Sequence, residues 1–272
     1  MFEGHNIKHD EPRLAIDLDF RNLIYEFHLK KCIEERNRIP QYKESVTKCL
    51  DLLKNSYNEE HDVSRIRFRN SFSESAMVNI ISFLKQGLEI FDSSRRLTIL
   101  SKPFIVYYAH LNLIKALIYS TLTNIPNQFN SHGLRHNHNE IYKTSVKKTG
   151  FYTLFLCCLG DTDLLKEALR RDKNNKYSFA DIIFPLPELK QEEKVLTKYS
   201  TFLNQVLLIS FILGMITRYH PLSIHKKEMG QEISYIMQIN RFYAELAEHE
   251  FKIGLLSFFQ GKLLAYRRPS YW

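Results

Sequence analysis

Glycine and proline are scarce in this chain, with 9 and 8 among 272 residues. A sandwich or barrel of many short strands needs frequent turn residues, so that class is disfavoured. Cysteine is scarcer still. The four thiols contain no C-x-x-C spacing, which excludes a zinc ribbon or a thioredoxin-type motif. Cys157 and Cys158 are chain neighbours, and a bridge between neighbours is strained. All four read as reduced thiols in a reducing compartment. Long apolar runs are missing too. The longest, Val206 to Ile216, is broken by Ser210 and Gly214 and falls short of the roughly 20 residues that span a bilayer. The stretch from Phe104 to Leu122 is longer but carries His110, Asn112 and Lys115. Both read as buried core helices. The first ten residues are polar and do not have the form of a secretory signal. The expectation is a cytoplasmic protein with no membrane partner. There is also no Walker A loop, G-x-G-x-x-G, G-x-S-x-G or H-E-x-x-H. Triphosphate hydrolysis, dinucleotide chemistry and the commonest hydrolase mechanisms lose their usual signatures, and no cofactor is expected.

Core-forming material is plentiful. Hydrophobic residues make up 44% of the chain, with 19 Phe and 15 Tyr, enough for a sizeable interior. Lys and Arg number 38 against 30 Asp and Glu, a net charge of +8. That balance suits a polyanionic partner: RNA, DNA or an acidic protein surface.

The pattern along the chain predicts a mainly α fold. It reads as one helical domain over 1–272 around two central apolar helices, with a small β-hairpin or edge strand and an N-terminal helical extension over about 1–60. Helical spacing runs from about Phe20 to residue 36, and Pro40 ends that unit. Val46, Leu50 and Leu53 then repeat at helical intervals. Met77, Ile80, Ile81, Leu84, Leu88 and Phe91 form one stripe. Ser101 and Pro103 signal the start of the first central helix, which is apolar nearly all round. The second runs from Tyr199 to Tyr219 and stops at Pro221. Residues 124–140 read as a loop rich in Asn and His. Ile141–Val146 and Phe151–Phe155 flank Lys147-Lys148-Thr149-Gly150 as a hairpin, with a helical second arm as the alternative. Asp161 caps a short helix, and Ser178 with Asp181 has the spacing of a capping box. A further amphipathic helix is expected over Gln231–Phe251.

Ser82-Phe83, Gln86, Pro103, the run Tyr107-Tyr108-Ala109-His110-Leu111-Asn112-Leu113 and Lys115-Ala116 resemble the YaaC-like family of bacterial proteins. His132-Gly133-Leu134, Gly150-Phe151, Pro187-Glu188-Leu189 and Arg218-Tyr219-His220-Pro221 follow in the family's order. The resemblance covers about 75–265. It implies a bacterial, cytoplasmic, helical protein, and it implies no particular reaction.

Five constellations could carry chemistry. Arg218 and His220 sit where a helix ends. Cations there complement the helix dipole, or Arg218 binds a phosphate while His220 serves as acid or base. His110, Asn112 and Lys115 are polar groups on an apolar helix. They form a structural network or line a ligand pocket. Arg21 and His28 have the R-N-x-x-x-x-x-H form and resemble the motif of HEPN-type ribonucleases. Two helical turns separate them, so they share a face, and His28 could assist 2′-hydroxyl attack. His132, His136, His138 and Glu140 have metal-ligand chemistry, but the surrounding Gly and Asn indicate a solvated loop, and no metal is assigned. Arg65, Arg67 and Arg69 alternate with Ile66 and Phe68. They could track a phosphate backbone with Phe68 or Tyr57 stacking on bases, or form a solvated edge.

The leading functional expectation is a binding module for nucleic acid or a protein partner, a second copy included, in a bacterial stress or phage-defence complex. The alternatives are a HEPN-like, metal-independent ribonuclease and a small-metabolite sensor.

Overall fold

The computed structural model describes residues 26–57, 62–98, 101–136, 139–171, 174–178 and 195–220, together with positions 251, 252, 255 and 259. The expectations for Arg21, His138, Pro187–Leu189, Pro221 and most of Gln231–Phe251 lie outside these residues.

Seven helices are described: α1 (Glu26–Arg38), α2 (Pro40–Asn55), α3 (Glu74–Ser94), α4 (Lys102–Thr121), α5 (Phe151–Leu159), α6 (Thr162–Arg170) and α7 (Val195–Tyr219). Among the described residues there are also five short strands: β1 (Arg67–Phe68), β2 (Leu122–Thr123), β3 (Leu134–His136), β4 (Lys143–Val146) and β5 (Tyr177–Ser178). The fold is mainly α with small antiparallel sheets. β1 pairs with β2, and β4 lies between β3 and β5. No helix among the described residues is long and apolar enough to cross a membrane.

Local sequence explains most boundaries. Pro40 ends the unit before it, with α1 stopping at Arg38 and Ile39 extended, and it also opens α2 at its first turn, where its missing N–H is unpaired in any case. Ser73 caps α3 by accepting from Ala76 N. Asp161 caps α6, accepting from the backbone N–H groups of Asp163 and Leu164 at 3.1 and 3.0 Å. Ser101 precedes α4 without a side-chain cap bond.

α3 lies along α4, and α4 along α7. The α4–α7 crossing is close because Gly214 carries no side chain. A Cβ there would stand 3.2 Å from Phe104 Cα. One helical turn away, Tyr107 packs edge-on against Phe211, with ring centroids 5.2 Å apart. α5 is buried at every residue, between α2, α4 and α6. One apolar cluster runs from Leu29 on α1 through all seven helices to Phe259.

The hairpin differs from expectation. β4 pairs back with β3, Leu134 opposite Val146 and His136 opposite Thr144, and Phe151–Leu159 is helix. Phe151, Leu154, Phe155 and Leu159 all bury, and a short apolar run of this kind fits a buried helix as well as a strand.

Candidate functional site

The 131–133 segment and the start of α5 cross at backbone contact. Phe151 N donates to Ser131 O at 2.8 Å, Tyr152 N to His132 O at 3.1 Å and Lys147 N to Gly133 O at 2.8 Å. The orphan amides at the start of a helix need acceptors, and here the loop carbonyls supply them. Both glycines are required. A Cβ on Gly150 would fall 2.3 Å from Gly133 Cα, and Gly133 has φ +81°, where other residues are strained.

This crossing fixes His132. Its ring packs on Tyr107 and Tyr108, each with centroids 5.6 Å away. Burial lowers its pKa below the ordinary histidine value, and the charges of Lys115 and Arg218 lower it further. Lys115 is half-buried on α4 and holds its ammonium over the rings of Phe83 and Phe151, at 5.4 and 5.1 Å. Burial pulls its pKa down. Arg218, in the last turn of α7, lays its guanidinium over Phe104 at 4.7 Å and Tyr219 at 5.0 Å. It lies four residues after Gly214, on the same face of α7, and so meets the same residue of α4. Neither cation forms an ion pair with a carboxylate of the described residues.

β3 brings in the second imidazole. His136 Nε2 is 3.3 Å from His220 Nε2, and the His136 ring lies nearly parallel to Tyr219. In such a contact one nitrogen donates and the other accepts, so the accepting imidazole is unprotonated at that position.

The structure therefore gathers Lys115, His132, His136, Arg218 and His220 around Tyr107, Tyr108, Phe104 and Tyr219. Of the residues singled out in the sequence, Lys115, Arg218 and His220 are here. His132 and His136 arrive from the loop first read for metal chemistry. Among the described residues no group of three or more His, Cys, Asp or Glu converges on a metal position, and Glu140 instead pairs with Lys143 and Lys176. Asn112 is half-buried on α4 and forms no hydrogen bond with the residues of the cluster. His110 is apart from it, fully buried between Phe91 and Phe251. Burial, aided by the charge of Lys252, lowers its pKa to about 3. His28 is exposed on α1.

The arginine strip takes another form. Only Arg67 and Phe68 are strand, and Arg65 ends a short 3-10 turn. Ile66 and Phe68 do bury. Arg67 donates to the carbonyls of Ser64 and Ile66, and Arg69 to that of Leu122 at 3.2 Å. Phe68 packs against Tyr42, and Tyr57 against Phe129, so neither ring stands ready for a base.

Sequence reading missed Tyr219, Tyr108 and Phe104 as site walls, and it missed Arg36. Arg36 is 2% exposed. It donates to Ser120 O, Ser120 Oγ and Thr121 Oγ1, each at 3.1 Å, and to Asn37 Oδ1. It closes the C-terminal end of α4 as a buried cation.

The YaaC-like Protein family model matches residues 41–206. The chain belongs to the YaaC-like family. The matched span begins upstream of residue 75 and takes in α2, and it ends within α7, before Arg218. The Tyr107-Tyr108, His132-Gly133 and Gly150-Phe151 segments, all within the matched span and distant in sequence, meet around His132. No curated protein and no solved structure matches the chain.

Proposed function

We propose that this YaaC-like protein is a nucleic-acid-binding module that holds backbone phosphate at the Lys115–His132–Arg218 cluster. One observation carries the reading. Two cations lie on aromatic faces, without a carboxylate partner among the described residues, and both press on one imidazole. Two cations whose fields both reach His132, with no carboxylate partner among the described residues, favour the arrival of an anion. Arginine offers a phosphate its planar fork, lysine a point charge, and a protonated imidazole a third donor. The overall charge of +8 favours a polyanion over a neutral metabolite.

The His136–His220 contact favours a second reading, metal-independent RNA cleavage with one imidazole as base and the other as acid. Its geometry argues for binding. In-line displacement places the entering and leaving oxygens on opposite sides of phosphorus, so acid and base must stand apart with the phosphate between them and not in direct hydrogen-bond contact. The two Nε2 atoms are 3.3 Å apart.

The test is the salt dependence of oligonucleotide binding by the full chain. Lys115→Gln and Arg218→Gln should each weaken binding and flatten the log–log salt slope by about one. An unchanged slope in both variants sinks the phosphate reading. Cleavage of RNA that His136→Ala and His220→Ala each abolish would move the assignment to the ribonuclease.

A further inference from the structure

We infer that the ligand is a single strand, read by stacking one base on Tyr219; this rests on the phosphate reading above and goes one step further. Tyr219 is the one aromatic among the exposed large apolar side chains of the described residues, at 47% exposure, the others being Val78 and Leu97. A single exposed ring is ordinary in itself; what marks this one is its place beside the Arg218 guanidinium and the His136–His220 pair. Its setting is that of a platform. His136 lies within 15° of parallel to it, and His136 is itself fixed by pairing with Thr144 in the β3–β4 ladder and by its contact with His220. The ring is therefore held in one orientation before a ligand arrives, which lowers the ordering cost of binding.

Cation and ring are adjacent as stacking requires. The Arg218 guanidinium is 5.0 Å from the Tyr219 centroid, so a phosphate on Arg218 and a base near Tyr219 are separated by about one nucleotide. Phosphate contacts with a nearby aromatic face are the pattern of sequence-tolerant single-strand binding. A duplex keeps its bases stacked on each other and offers such a ring nothing. No hydrogen-bonding reader of a base edge is needed, so the preference is for strandedness and not for sequence.

The experiment compares three fluorescent 12-mers with equal phosphate spacing: oligo-uridine, the same backbone with abasic sites, and a duplex. Wild-type full-length protein should bind oligo-uridine roughly 10- to 100-fold tighter than the abasic strand, and tighter than the duplex per strand. Tyr219→Ala should erase the difference between uridine and abasic strands, and Tyr219→Phe should keep it. Lys115→Gln and Arg218→Gln should weaken both strands alike. If wild type binds the abasic strand as tightly as oligo-uridine, or the duplex as tightly as the single strand, stacking is wrong and the phosphate site stands. If Tyr219→Ala weakens both single strands equally, Tyr219 acts only by holding its neighbours, which also overturns the proposal. Failure of wild type to bind any of the three removes the phosphate reading and this one with it.

Discussion

His110 shows what burial does to a single titratable group. Neither ring nitrogen has a hydrogen-bond partner, and an unpaired buried polar group costs on the order of 1–3 kcal/mol. Replacing it with leucine should therefore stabilise the protein by about that much, measured as a higher urea midpoint. The sign of the pH effect follows from its depressed pKa, about 3 in the fold against roughly 6.5 unfolded. Between those values the unfolded chain binds the extra proton, so stability falls as pH falls, by about 1.4 kcal/mol per unit. Above roughly pH 6.5 the group contributes no slope. His110→Leu should remove this part of the acid sensitivity; a variant that loses stability and keeps the slope would contradict the account. Arg36 differs in being a buried cation whose Nε and Nη2 donate to Asn37 and to the end of α4, while its Nη1 has no hydrogen-bond partner among the described residues. Arg36→Lys should not rescue Arg36→Ala, since a single ammonium lacks the fork that reaches both Asn37 and Ser120. Each variant should cost about 2–4 kcal/mol by chemical denaturation.

At the scale of elements, the crossing of the 131–133 loop with the start of α5 is the decisive contact. Gly150→Ala puts a methyl 2.3 Å from Gly133 Cα, and neither backbone can yield without breaking the amide bonds to Ser131 and His132. A loss of about 3 kcal/mol is expected, with weaker oligonucleotide binding in whatever fraction folds, because His132 moves with its loop. Wild-type stability in that variant would show the crossing to be looser than described. Gly150 was legible in the sequence as a special backbone position, but its reason was not. It was read as a hairpin turn, whereas the close approach is to a segment 17 residues upstream, and nothing local encodes that. The stripe of α3, the two central helices and the Asp161 cap were legible because each is a periodic or capping signal within one element. The pairing of β4 with β3 was not, since strands this short carry too little alternation to set a register.

For the molecule as a whole, charge and core were readable from composition, while the site was readable only in fragments. Lys115, Arg218 and His220 stood out because they interrupt or end apolar helices. Their association through His132 depends on how α4, α5 and α7 pack, which periodicity does not specify. Tyr219 stood in the sequence only as part of the Arg218-Tyr219-His220-Pro221 motif, and nothing local marked it out from the other tyrosines as a site wall. The central claim is that Lys115 and Arg218 create a positive site at His132 that an anion completes. The most direct test is the His132 pKa, followed by NMR on its ring C–H in the full chain with and without a short oligonucleotide. It should lie below the usual histidine value in the free protein, rise in Lys115→Gln and Arg218→Gln, and rise in wild type when the oligonucleotide binds, with proton uptake and tighter binding as pH falls through that window. A His132 that titrates as an ordinary histidine, unmoved by either substitution or by the ligand, would contradict the account.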